Sequence, residues 1–226
     1  MCLLDLMSFG STSYTRPPVD PIFNYDYLIV RFDGKDFRES FPPPTSNIID
    51  TGPFRNNLLS DNNASWGNGG INEPYLDIIT PFSNTNLEYG NKTQELFVSC
   101  KFNFIGSTYP YNIFRFNTDS NGINYLRGDV ISSSNFNVSY SNSNIGSFSL
   151  IIDPTIPPLF YYYLTVSLYK TSYSNIINYT LSNDDNYTNL SNFIPLHNIF
   201  DNYHKNSLFI GSLELYTFNL YNKLTV

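Results

Sequence analysis

From Glu95 to Phe104 the chain alternates between apolar and polar positions. Leu96, Val98, Cys100, Phe102 and Phe104 share one side, while Glu95, Ser99, Lys101 and Asn103 share the other. A period of two marks a strand with one buried face, so the pattern predicts a strand over 95–105. Tyr25 to Phe32, closed by the turn pair Asp33-Gly34, reads the same way, as does Tyr75 to Ile79. Residues 112–117 and 123–131 form a predicted hairpin across Thr118-Asp-Ser-Asn-Gly122, and residues 135–140 and 146–152 form a second. A greasy strand is expected over Leu159 to Tyr169 and a long final strand over Ser207 to Leu220. That last run is apolar on both faces, which predicts a sandwich strand that also meets another chain.

Between these runs lie stretches expected to be loops. Phe41-Pro-Pro-Pro-Thr-Ser46 lacks backbone donors and reads as a loop or edge segment. Asn56 to Asn72 is dense in Asn, Ser, Asp and Gly and reads as turns, and Ser172 to Ser191 reads as a polar segment. One helix is a candidate, over Asn192 to Tyr203. The fold class expected is all-β, a β-sandwich of jelly-roll type. Residues 1–21 would be an extended arm and 22–226 the sandwich, with a sub-boundary near 153–158.

Composition sharpens this picture. Ala64 is the only alanine and Gln94 the only glutamine, whereas there are 31 asparagines, 19 tyrosines and 19 phenylalanines. The best helix former is missing, and the abundant residues cap, turn or favour strands. Asn, Tyr, Phe and Ile also have AT-rich codons, so the bias points to an AT-rich genome. Lys and Arg together number only 12 and the net charge is −7, so the surface repels phosphate and no nucleic-acid partner is expected. No run approaches the apolar length of a membrane helix, and no membrane partner is expected. The opening Met-Cys-Leu-Leu-Asp-Leu-Met-Ser is too short and too acidic for a secretory signal. Cys100 sits on the apolar face of its strand and reads as a small core hydrophobe.

Motifs of catalysis are missing. No Gly-x-Ser-x-Gly elbow or phosphate loop occurs, and neither His197 nor His204 sits in a nucleophile motif, so no enzyme is expected. One region says more. Trp66-Gly-Asn-Gly-Gly-Ile-Asn-Glu73-Pro-Tyr-Leu-Asp77 is a glycine-rich loop running into an acid-bearing strand. The strand 95–104 follows, and then Phe114-Arg115-Phe-Asn-Thr-Asp-Ser-Asn-Gly122-Ile-Asn-Tyr-Leu-Arg127-Gly-Asp129. Over residues 26–131 this order resembles the tellurium-resistance stress-protein domains and their relatives in large viruses and phages. The resemblance implies a β-sandwich whose loop carboxylates bind calcium, with Glu73, Asp77, Asp33 and Asp36 as candidate ligands. Here Ile71-Asn72 stands where that family has a pair of aspartates, and a tight turn capped by Asn is the competing reading.

The sequence therefore leads to the expectation of a non-enzymatic virion structural protein of capsid, decoration or tail type. It would assemble with itself or other virion proteins through β edges and its arm, and would need no cofactor. The alternative is a calcium- or carbohydrate-binding β-sandwich, in which the excess of tyrosine supplies a sugar platform.

Overall fold

The computed structural model describes residues 27–35, 45–68, 73–88, 93–103, 109–119, 121–132, 135–152, 161–183, 186–199 and 206–222. They form an all-β sandwich of two antiparallel sheets. The first sheet contains β1 (Leu28–Asp33), β4 (Pro74–Asp77), β6 (Glu95–Asn103), β11 (Tyr162–Lys170), β12 (Asn175–Asn183), β13 (Asn186–Ile194) and β15 (Glu214–Tyr221). The second contains β2 (Thr45–Ile48), β5 (Phe82–Asn84), β7 (Tyr111–Asn117), β8 (Tyr125–Val130), β9 (Phe136–Asn142), β10 (Gly146–Ile152) and β14 (Ser207–Ile210). β3 (Leu58–Asn68) joins them: Leu59 pairs with β5 in the second sheet, and Ser65 to Asn68 pair with β4 in the first.

The order across the second sheet is β3-β5-β14-β7-β8-β9-β10, and across the first β3-β4-β15-β6-β11-β12-β13. β1 lies beside β4 on the same edge of β15. Inward faces meet through aromatic rings. Phe136 of the second sheet packs on Tyr162 and Phe102 of the first, with centroids 4.6 and 6.2 Å away, and Phe114 packs on Phe218 at 6.0 Å. Rings of this size bury large areas, which fills a core with little alanine. Cys100 is fully buried there, between its strand neighbours Leu164 and Phe218.

The alternating strand and both hairpins occur as expected. Other expectations are corrected. The turn-rich stretch 56–72 holds β3, at 11 residues the longest strand. Its outward positions are exposed and tolerate Asn and Ser, while Leu58 and Ala64 are buried in the core and Trp66 packs against it. The polar segment 172–191 is a hairpin of β12 and β13, in which Ile177, Tyr179 and Leu181 are buried at every second position. Beyond the strand read at 75–79, where a loop through Gly90 is expected from the sequence, residues 82–84 form β5.

The helix candidate is strand through Ile194 and irregular from Pro195 to Ile199, with 200–203 outside the described residues. The long final strand is two, broken at Gly211 to Leu213, where the chain leaves one sheet for the other. Neither half is an edge: β14 runs between β5 and β7, and β15 between β6 on one side and β1 and β4 on the other. Both edges are thus paired within the chain, while the outward positions Phe209, Thr217 and Asn219 stay part-exposed. The arm at 1–21 and the sub-boundary near 153–158 lie outside the described residues.

Candidate functional site

The outward face of the second sheet carries the chemistry. Cross-strand register sets its residues in rows. One row runs Ser83, Phe209, Arg115, Arg127, Ser139, Ser149 across β5, β14, β7, β8, β9 and β10. A second runs Ser207, Asn117, Tyr125, Ser141, Ser147, and a third runs Asn112, Asp129, Asn137, Ile151. Residues opposite one another in a ladder stand about 4.5–5.5 Å apart, so each row is a line of touching side chains.

Hydrogen bonds hold these groups in fixed orientations. Arg115 donates from Nε to Asn117 Oδ1 at 2.8 Å and from Nη2 to the carbonyl of Gly122 at 2.6 Å, and its guanidinium lies 4.7 Å from the Tyr125 ring centroid. Gly122 takes a φ of 68°, in the left-handed region, to close the turn that presents this carbonyl. Asn117 Nδ2 donates to Ser207 Oγ at 2.6 Å, tying β7 to β14. Asp129 is buried and accepts from Arg127 Nε and, at 3.2 Å, from Asn112 Nδ2. Burial pushes its carboxyl above the ordinary value, and the Arg127 bond opposes that shift.

Over the part of this floor made by β5, β14 and β7 opens a cleft of about 840 Å³, lined among others by Asn86, Asn112, Arg115, Asn121, Ser207 and Phe209. Its size is that of a small-ligand site. Gly211 lines it as well, and a methyl group there would sit 1.6 Å from the carbonyl oxygen of Asn112.

The sequence-predicted carboxylates lie elsewhere, at one end of the first sheet. Glu73 accepts from Lys35 Nζ at 2.9 Å and from Lys101 Nζ, so both its oxygens are occupied by ammonium groups. Lys101 also lies 3.9 Å from the Tyr161 ring centroid and 5.4 Å from that of Tyr216. Burial raises the Glu73 carboxyl, but the two lysines outweigh it and hold the group below its ordinary value. Asp33 pairs with Arg31 at 3.6 Å and caps the amide of Lys35. Asp77 lies across the ladder from Glu214 and Ser65. The structure does not bring Glu73, Asp77 and Asp33 together, and Asp36 is outside the described residues. Among the described residues no three His, Cys, Asp or Glu side chains converge as metal ligands.

Part of the cleft was marked in the sequence, since Arg115 and Gly122, which line it, are fixed points of the hairpin motif, with Arg127 and Asp129 beside them. Phe209, Ser207 and Asn112 were not singled out. The available signal was their place on the polar side of alternating strands, and in β14 the apolar Phe209 obscures it.

No protein-family model matches this sequence, and no curated protein matches it significantly. Solved structures do share its fold. The binding domain of botulinum neurotoxin DC in complex with SialylT is 10% identical with a TM-score of 0.54, over 89% of this chain and 49% of that one. The chain thus spans about half the length of that neighbour. Domain 4 of AbnA, an extracellular arabinanase from Geobacillus stearothermophilus, in complex with arabinotriose, is 11% identical with a TM-score of 0.48, over 88% and 94% of the two chains. Tailspike protein 2 of an Escherichia coli O157:H7 bacteriophage is 9% identical with a TM-score of 0.48, over 78% and 26%.

Proposed function

We propose that this chain is a carbohydrate-binding β-sandwich module and that the cleft on the second sheet is its binding site. The observation that carries the proposal is the cleft lining. Amide and guanidinium groups on a rigid floor match the paired hydroxyls of a sugar ring, and the part-exposed ring of Phe209 offers a face for its C–H groups. The residues are locked by their own hydrogen bonds, so little side-chain freedom is lost on binding.

The function is binding without turnover. Glycoside hydrolysis calls for two facing carboxyl groups. The one carboxylate in the rows described, Asp129, is buried and engaged by Arg127 and Asn112. The expectation of a virion subunit loses the support it drew from the C-terminal strand, because β14 and β15 are interior. It also drew on composition, the all-β pattern and the arm at 1–21, none of which names a partner.

A glycan array followed by titration calorimetry tests the proposal. Phe209→Ala and Asn121→Ala should each weaken the best array hit at least tenfold while the near-ultraviolet dichroism keeps its native shape. Equal binding by wild type and both variants, or no glycan bound at all, would remove it.

A further inference from the structure

At the border of the cleft the sheet contains a charge arrangement that the fold does not require. Arg115 and Arg127 stand directly opposite each other on β7 and β8. Like charges in that relation are destabilising. The chain has only 12 basic residues and a net charge of −7, so acidic partners were abundant for a structural role. Their other ladder neighbours, Phe209 and Ser139, are uncharged.

Among the described residues a single carboxylate, Asp129, acts on both arginines. Asp129 engages Arg127 through Nε. Asp119, in the turn beyond β7, accepts from the backbone amide of Asn124 at 3.1 Å. Nη1 of Arg115 and both Nη groups of Arg127 have no hydrogen-bond partner among the described residues. Arg115 lines the cleft, and the Arg127 side chain is 34% exposed beside it.

Two guanidinium groups, each anchored at Nε and each with Nη donors left over, form a fork for a planar anion. We propose that the glycan bound here is acidic and that its carboxylate sits between Arg115 and Arg127; this rests on the carbohydrate-binding reading above. A carboxylate accepts paired N–H bonds in the geometry a guanidinium offers. It also supplies a second negative charge to two arginines that otherwise share the single carboxylate of Asp129. Beyond Arg127 the row continues with small side chains, the buried Ser139 and the exposed Ser149.

The test uses the full chain and two matched ligand pairs, 3′-sialyllactose and trigalacturonic acid, each against its carboxyl methyl ester, by calorimetry. At least one acid should bind tenfold or more tighter than its ester, and that advantage should shrink as salt rises. Arg115→Gln and Arg127→Gln should each pull the acid-to-ester ratio toward one, and Arg127→Lys should retain part of it. The ester comparison needs no substitution, so a variant that folds poorly does not blunt the test. Equal affinity for acid and ester overturns the inference while leaving the carbohydrate reading standing. Binding of neutral glycans alone does the same. Failure of every glycan removes the reading itself.

Discussion

Cys100 shows how one residue is fixed by its surroundings. Its thiol is fully buried and burial pushes its pKa well up, so it should be inert to thiol reagents until the protein unfolds. Cys100→Ser should destabilise by about 1–3 kcal/mol, measured by urea unfolding, because the hydroxyl finds no partner between Leu164 and Phe218. This position was legible because strand alternation fixes which face a residue joins. Asp50 was not legible. It is fully buried and accepts the backbone amides of Arg31, Gly52 and Asn56 at 2.8, 2.7 and 2.7 Å, pinning a loop to β1. No local pattern reveals an acid whose donors come partly from a strand 19 residues earlier.

Glu73 gives a pH prediction at the same scale. Its folded carboxyl titrates below the ordinary value of about 4.3, so the folded state binds fewer protons there than the unfolded one. Its ion pairs therefore stabilise above that pH, and the contribution is lost as pH falls through the depressed folded value. The group is partly exposed, which limits the effect to about 1 kcal/mol. Thermal melts from pH 6 to pH 3 should show a shallower acid loss in Glu73→Gln than in wild type.

At the scale of elements, Gly211 is the joint between β14 and β15. Any side chain there meets the backbone of Asn112, which cannot swing aside as a side chain would. Gly211→Ala should cost about 3–5 kcal/mol by chemical denaturation and should disturb the cleft with it. The same joint explains why Ser207 to Leu220 looked like one strand: both halves are apolar, and the crossing needs only the short break at Gly211 to Leu213. The β7–β8 hairpin was readable, because its turn and its strand pattern are both local. The β12–β13 hairpin was missed because Asn and Ser on its outward positions resemble loop composition, although Ile177, Tyr179 and Leu181 keep the alternation. The cleft combines both cases. Its Arg115 belongs to a readable hairpin, while Ser207 comes from a strand 90 residues from Asn117.

At the scale of the molecule, the class of fold followed from composition and alternation, whereas the order of strands did not. Pairing between distant segments is set by the complementarity of whole faces, which no short window of sequence contains. The topology puts the last strand in the middle. β15 binds β6 along one edge and β1 and β4 along the other, with Leu28 of β1 opposite Tyr221. Removing Glu214 to Val226 should therefore abolish cooperative unfolding of the whole chain, as read by calorimetry, and should not merely trim an end.

That placement also governs how the protein comes off the ribosome. Until Glu214 to Tyr221 has emerged, β6 lacks its neighbour on one side and β1 and β4 have no strand to join on β15's edge. Domain-by-domain folding from the N-terminus gains little here, and most of the nascent chain must wait with open strand edges. Protease sensitivity of stalled nascent chains should stay high until Tyr221 has emerged and then drop sharply. Synthesis of the final strand is the event that closes the first sheet.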